Sequence, residues 1–181
     1  MLTERRTNLH GERGRRMKEK DHLPLYGVGP LLCGVMTVVS LIALVYPRVS
    51  GNDVIVIHGV MRIVAGVCGA FLMAFSIALW IDAVQKSDID AGILENRLVT
   101  DGAYALTRNP IYSAVLLLCI GILLLAGNLL AIPLTLLFWL FLTVALKETE
   151  EKWLLDLYGG KYRQYCARVN RIWPDLKKFR Q

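Results

Sequence analysis

Long apolar runs alternate with short charged segments along this chain. A helix needs about 20 apolar residues to cross about 30 Å of hydrocarbon. Four runs are candidate spans: residues 25–46, 60–81, 111–126 and 129–146. The first stops at Pro47 and the second at Asp82. The third run reaches only roughly 24 Å as a helix, so we expect it to pack inside a bundle. The pattern predicts an all-α protein, a polytopic membrane helical bundle with four transmembrane helices.

The last two runs are separated by Gly127 and Asn128 alone. So short a connection forces two helices to run antiparallel, which predicts a tight helical hairpin. The helical period of the fourth run continues beyond the membrane to Tyr158, and the Gly159-Gly160 pair is typical of a helix end. We therefore expect a C-terminal helical extension within the tail, residues 147–181.

Basic residues lie almost entirely on one side of the predicted membrane. Seven precede the first run, three lie in the loop 83–109, and nine lie in the tail 147–181. Arg48 and Arg62 alone belong to the other side. Because Lys and Arg in short loops mark the cytoplasmic side, both termini and the loop are expected in the cytoplasm. The lack of organelle signals favours a prokaryotic plasma membrane.

Composition narrows the class of protein further. Hydrophobic residues make up 55% of the chain, against about 45–50% in soluble domains. The net charge of +6 is better explained by flanks beside a membrane and its anionic lipids than by nucleic acid. Residues 1–22 are basic and predicted to be disordered, and residues 23–181 form one membrane domain. The spacing of His and Cys matches no metal site.

The start of the third run combines several polar groups. Asn109 is expected to cap the helix and Pro110 to take its first position, which by itself needs no function. The same helix start presents free N–H groups and a partial positive charge, to which Arg108 adds a full one. A carboxylate would bind well there, with Tyr104 and Tyr112 beside it.

The fourth run carries a second candidate. At about 100° per residue, Glu150 lies in an apolar stripe, and a carboxylate there is costly unless it is paired. The stripe contains Trp139, Thr143, Leu146, Trp153, Leu154 and Leu157. A salt bridge to Arg97 or Arg108 is the alternative to a functional role.

Its neighbours Glu148 and Lys152 are expected to pair in solvent, as Lys147 and Glu151 are on the flank. The basic and aromatic tail after Gly160 is either a plain flank or a segment lying on anionic lipid, and its Arg168 and Arg171 could also reach a lipid phosphate or a cofactor.

Two stretches together resemble the isoprenylcysteine carboxyl methyltransferase family of integral-membrane methyltransferases, which includes phospholipid N-methyltransferases. They are LVTDGAYALTRNPIY and ETEEKWLLDLYGGKYRQYCARVNRIWP, and the resemblance covers about residues 94–174. It implies S-adenosylmethionine bound on the cytosolic side, outside any Rossmann domain. The cofactor contacts that it implies are Asn96, Arg97, Leu98, Val99, Tyr104, Asn109, Pro110, Ile111, Tyr112 and Glu150.

Two departures bear on the substrate. Asn109 stands where the family commonly has His, and Asn does not titrate near neutral pH, which favours binding over proton transfer. Leu146 stands where the prenylcysteine enzymes place an Arg for the substrate carboxylate, which weakens that specific substrate.

The resulting hypothesis is a methyltransferase for a lipophilic or prenylated small molecule, with Arg108 and Glu151 as catalytic candidates. The expected partners are that substrate and membrane lipids, without nucleic acid or metal. A non-catalytic membrane protein or lipid-binding scaffold of the same fold is the alternative. A membrane reductase of related fold, using a nicotinamide cofactor, fits 181 residues poorly.

Overall fold

Helices account for nearly all of the regular structure in this protein. The structure is a computed structural model that describes residues 28–51, 55–86 and 97–175. The predicted disordered segment 1–22 and the candidate residue Asn96 lie outside the described residues. The helices are α1 Gly29–Ser50, α2 Val60–Ile81, α3 Ala103–Leu106, α4 Pro110–Leu125, α5 Ala131–Glu148, α6 Glu150–Tyr158 and α7 Gly160–Arg168. Within those residues there is no strand, which confirms the all-α class.

Apolar length separates α4 from the other long helices. Within the described ranges, three helical stretches are long and apolar enough to cross a membrane, namely Gly29–Ser50, Val60–Gln85 and Ala131–Tyr158. Their outward faces expose large apolar side chains such as Ile42, Phe71 and Leu136. Such faces are typical of contact with lipid. The fourth predicted span corresponds to Pro110–Leu125, an apolar helix of 16 residues.

The short helix α4 forms the centre of the molecule. It is buried along most of its length, with Leu116 and Leu123 fully enclosed. Its contact with α2 is very close, because a Cβ at Gly69 would lie 2.6 Å from the carbonyl oxygen of Gly121. Glycines at such a crossing let two helix backbones approach, as they commonly do in membranes. Ser76 on α2 adds a hydrogen bond of 2.7 Å to the carbonyl of Ala114 on α4.

Helix α1 continues past Pro47 to Ser50, so the predicted stop at Pro47 is wrong. Proline has no N–H for the carbonyl four residues earlier, which here is that of Ala43. The Asn128 side-chain amide donates to that carbonyl instead, at 2.6 Å. A partner from the distant connection between α4 and α5 therefore satisfies the acceptor that the proline leaves open.

The connection between α4 and α5 meets the connection between α1 and α2. The N–H of Ile57 donates to the Gly127 carbonyl at 2.7 Å, and the N–H of Leu129 donates to Ile55 at 2.9 Å. These bonds surround an isolated bridge between Val56 and Asn128. The end of α4 is thus attached to the far ends of α1 and α2.

The segment between α2 and α4 differs from the predicted loop at its start. The α-helix ends at Ile81, as predicted, but a π-helical turn follows from Asp82 to Lys86, so the predicted loop 83–109 is shorter by that turn. Asp101 and Gly102 form a turn, in which Gly102 has a positive φ of 56° and the Tyr104 N–H donates to the Asp101 carbonyl at 3.0 Å.

The predicted continuous helix to Tyr158 is wrong, because it breaks at Thr149. Thr149 has φ −121° and ψ −89°, outside the helical region, and α6 begins afresh at Glu150. The Thr149 hydroxyl donates to the Ala145 carbonyl at 2.7 Å, which satisfies an acceptor at the end of α5. The break changes the helical phase, so the predicted apolar stripe is not one face: Trp153 is 38% exposed, whereas Leu146 is fully buried.

Candidate functional site

Three helix starts meet around the side chain of Glu150. Tyr112, in the first turn of α4, donates its hydroxyl to the Glu150 carboxylate. The backbone N–H of Val28, just before α1, donates to the same carboxylate. The approach of α1 depends on Gly29, since a Cβ there would lie 3.0 Å from the Tyr112 hydroxyl oxygen. Glu150 is therefore turned inward, as predicted.

The next residue, Glu151, binds two guanidinium groups. Arg171 is bidentate on it, with Nε 2.7 Å from Oε1 and Nη2 2.8 Å from Oε2. Arg108 Nη2 lies 3.2 Å from the same Oε1, and these two side chains are only 9% and 12% exposed. The hydrogen bonds that Arg171 donates to Glu151 raise the pKa of Arg171 above its ordinary value, so this guanidinium stays charged.

One positive charge remains unbalanced in this cluster, because two arginines face one carboxylate. Arg108 also donates to the sulfur of Cys166 on α7. Its Nε is buried and has no hydrogen-bond partner among the described residues. An unpaired buried donor on a cation is costly, and an anionic ligand would reduce that cost. The cluster lies beside Tyr162, whose pKa is raised chiefly by burial and further by the charge of Glu151.

Two alternative pairings considered for these acids are wrong. Glu150 does not pair with Arg108, because Arg108 is held by Glu151. Glu151 does not pair with Lys147, because the break at Thr149 rotates it toward the arginines. The solvent pair of Glu148 and Lys152 is confirmed at 2.5 Å, with both side chains more than half exposed.

The remaining predicted site residues are distributed around this junction. Asn109 lies at the start of α4 but its side chain does not cap the helix; its amide donates to the Arg171 carbonyl at 2.9 Å. The carbonyl of Tyr104 accepts from the Tyr165 hydroxyl at 2.6 Å. Arg97 is exposed, Leu98 packs against the α7 tyrosines, Val99 and Pro110 are buried, and Ile111 packs toward Leu79 on α2.

Sequence reasoning did not predict the contacts of a segment that completes this junction. Residues 169–175, hereafter the strap, follow α7 and lie along the loop before α4, with Ile172 only 2% exposed. Two buried hydroxyl residues, Thr107 and Ser113, hold the strap in place. They lie about 60 positions earlier in the chain, and no local pattern marks a contact across that distance.

Comparison with known proteins supports the resemblance that the motifs carry. The family model described as Phospholipid methyltransferase matches residues 54–161, more than half of the chain. The chain belongs to the phospholipid methyltransferase family. The matched region contains Arg108, Tyr112, Glu150 and Glu151, whereas Arg171 lies outside it.

A curated relative indicates the same relationship. Protein-S-isoprenylcysteine O-methyltransferase of Schizosaccharomyces pombe is 36% identical over 76 residues, which is 41% of this chain and 32% of that protein. The chain therefore matches about a third of the length of that relative. Together the two matches confirm the predicted family of membrane methyltransferases.

Proposed function

We propose that this protein is an integral-membrane, S-adenosylmethionine-dependent methyltransferase that acts on a lipophilic or prenylated small molecule. The observation that carries the proposal is the meeting of two adjacent acids, Glu150 and Glu151, with Tyr112 and two arginines at one end of an apolar bundle. Buried acids beside a membrane are expensive and usually functional. Family membership and the methyltransferase relative in Schizosaccharomyces pombe support methyl transfer as the chemistry.

The residues present fit the charges of the proposed cofactor. S-adenosylmethionine supplies a methyl group already activated on a sulfonium cation, so the protein chiefly has to bind, orient and exclude water. The Glu150 carboxylate accepts hydrogen bonds and would balance the positive charge of the cofactor. Arg108, with its unpartnered Nε and the excess charge of its cluster, suits the carboxylate of the cofactor or of the substrate.

We assign the catalytic roles to Arg108 and Glu151 in this sense. Glu151 holds the two guanidinium groups in fixed positions, and Arg108 holds an anionic group of a reactant. The cofactor contacts that we propose are Asn96, Arg97, Leu98, Val99, Tyr104, Asn109, Pro110, Ile111, Tyr112 and Glu150. Of these, Ile111 has the weakest support, because it packs toward α2.

The substrate would enter from the lipid, with its polar head at this junction. Leu146 is fully buried against the core that contains Leu116 and Ile172. As an apolar side chain it cannot bind a substrate carboxylate by charge. Arg108 and Arg171, both on Glu151, are the cationic groups of the junction among the described residues. We propose that residues 23–181 form a single domain in a prokaryotic plasma membrane. The site, the loop 83–109 and the tail 147–181 would lie at its cytoplasmic face.

Binding of S-adenosylhomocysteine tests the proposal directly. We expect isothermal titration of the purified protein to show binding, and Glu150→Gln to weaken it at least tenfold because a charged hydrogen-bond acceptor is lost. Glu148→Gln is the matched control, since that acid is exposed and paired with Lys152. No binding by the wild type, or equal affinity in Glu150→Gln and the wild type, would contradict the proposal.

A non-catalytic lipid-binding scaffold is the second candidate. The observation in its favour is that Tyr112 and Val28 already satisfy Glu150 without any ligand. Transfer of a labelled methyl group from S-adenosylmethionine into a membrane lipid extract separates the two functions. A scaffold binds lipid and leaves the label in the cofactor, whereas an enzyme moves it into the organic phase.

A further inference from the structure

The strap is joined to the loop before α4 by backbone hydrogen bonds at both ends. The N–H of Arg108 donates to the Asn170 carbonyl at 2.8 Å, and the N–H of Asp175 donates to the Leu106 carbonyl at 2.9 Å. Two side chains of the strap, Val169 and Ile172, are buried. The segment that follows α7 is therefore an integral part of the junction.

Three polar side chains hold the middle of the strap. The Thr107 hydroxyl and the Asn109 amide both donate to the Arg171 carbonyl, at 3.0 Å and 2.9 Å. The Ser113 hydroxyl donates to the next carbonyl, that of Ile172. Thr107 and Ser113 are almost completely buried, and Asn109 is 8% exposed. We call Thr107, Asn109 and Ser113 the seat.

The seat fixes the backbone of the very residue whose side chain binds Glu151. Two hydrogen bonds fix the carbonyl of Arg171, and from that position its guanidinium reaches both oxygens of the Glu151 carboxylate. A bidentate pair of this kind requires defined geometry, which is lost when the backbone of either partner moves. The Arg108 pair shares one oxygen of that carboxylate, so it depends on the same alignment.

We propose that Thr107, Asn109 and Ser113 are positioning residues, which hold the strap so that Arg171 stays bidentate on Glu151 and Arg108 stays aligned beside it. This inference rests on the proposed function for its consequence in methyl transfer. It gives Asn109 a task in which only donation of a hydrogen bond matters. It also extends the working unit beyond residues 54–161, the part that matches the family.

Thr107→Val is the cleanest test, because it keeps the shape of the side chain and removes its hydroxyl. We expect turnover to fall about threefold to tenfold, the usual effect of one lost hydrogen bond, and Thr107→Ser to restore it. Ser113→Ala should behave like Thr107→Val. Glu148→Gln serves again as the control that leaves turnover unchanged.

A double-mutant cycle distinguishes positioning from general stability. If the seat acts through Arg171, then Thr107→Val in an Arg171→Ala background lowers turnover no further. If the double variant instead loses turnover by the product of the two single factors, the inference is overturned. Thermal unfolding of the same variants is a separate readout. The Thr107 hydroxyl binds the backbone carbonyl of Arg171, which Arg171→Ala keeps, so Thr107→Val should lower the midpoint in both backgrounds. An unchanged midpoint in both would overturn the inference.

Limited trypsin digestion gives a readout that needs no activity. Loss of the seat should speed cleavage after Arg171, seen by mass spectrometry as a new amino terminus at Ile172, about threefold to tenfold over the wild type. An unchanged cleavage rate in both Thr107→Val and Ser113→Ala would reject the seat. If the wild type neither binds S-adenosylhomocysteine nor transfers methyl groups, the proposed function fails while digestion and thermal unfolding still decide this inference.

Discussion

At the scale of single residues, two adjacent glutamates have different partners because the helix is interrupted at Thr149, just before them. Glu150 faces Tyr112 and the start of α1, and Glu151 faces two arginines. Removal of one partner from a buried pair leaves an uncompensated charge, which typically costs several kcal/mol. Glu151 should therefore contribute strongly to stability as well as to the arrangement of the site.

We expect Glu151→Gln to lower the free energy of unfolding by about 3 kcal/mol, because two largely buried guanidinium groups lose their only carboxylate in this cluster. Thermal unfolding in detergent measures the change. Glu148→Gln, one turn away and exposed, should leave the midpoint unchanged. Equal midpoints for the two variants would show that the buried cluster adds nothing to stability.

The sequence predicted the inward direction of Glu150 from an argument that was only partly right. Helical phase placed it in a stripe with Leu146 and Trp153, and the break at Thr149 removes that continuity. The acid nevertheless points inward, since α6 starts a new phase from Glu150 itself. The partners of Glu151 were not predictable, because Arg171 reaches it through a strap fixed by residues far away in the chain.

At the scale of elements, the contact between α2 and α4 depends on glycine. A Cβ on Gly69 would lie 2.6 Å from two backbone atoms, the Gly121 oxygen and the Leu125 nitrogen. Backbone cannot turn aside as a flexible side chain can, so the two helices would have to separate. Helix α4 presents both the Tyr112 hydroxyl and the polar loop residues, and a shift of α4 moves the whole site.

Gly69→Ala should therefore destabilise the protein by about 2 kcal/mol or more. Gly66→Ala is the matched control on the same helix, because its Cβ would meet only Arg62 at 3.6 Å, an ordinary contact. That control should be neutral or slightly stabilising, since Ala favours helix over Gly. Comparison of the two thermal midpoints decides the matter, and a stable Gly69→Ala would mean that the crossing tolerates a methyl group.

Periodicity and apolar length located the main helices, including both boundaries of α2, but not the irregular ends. The extension of α1 past Pro47 depends on Asn128, which satisfies the Ala43 carbonyl from another part of the chain. The π-helical turn Asp82–Lys86 likewise has no counterpart in the hydrophobic pattern. Tertiary partners decide such ends, and local sequence does not contain them.

At the scale of the whole molecule, α4 connects the two ends of the bundle. Its first turn meets Glu150 and the strap, and the residues after it bond to Ile55 and Ile57 between α1 and α2. Those contacts lie at opposite ends of the helices that are long enough to span a membrane. By this geometry α4, although short, extends from one side of the bundle to the other, as a fourth membrane crossing requires.

Cysteine labelling tests that topology against a three-span arrangement. In a background without cysteine, His58→Cys reports on the α1–α2 connection, and Lys152→Cys reports on exposed α6. If α2, α4 and α5 all cross, an odd number of spans separates the two positions. A maleimide that cannot cross membranes should then label Lys152→Cys only in inverted vesicles and His58→Cys only in right-side-out ones. If α4 does not cross, only two spans intervene and both positions label from the same side. That result would place the Glu150 junction and the loop before α4 on different sides of the membrane, which the bond from Tyr112 to Glu150 does not permit.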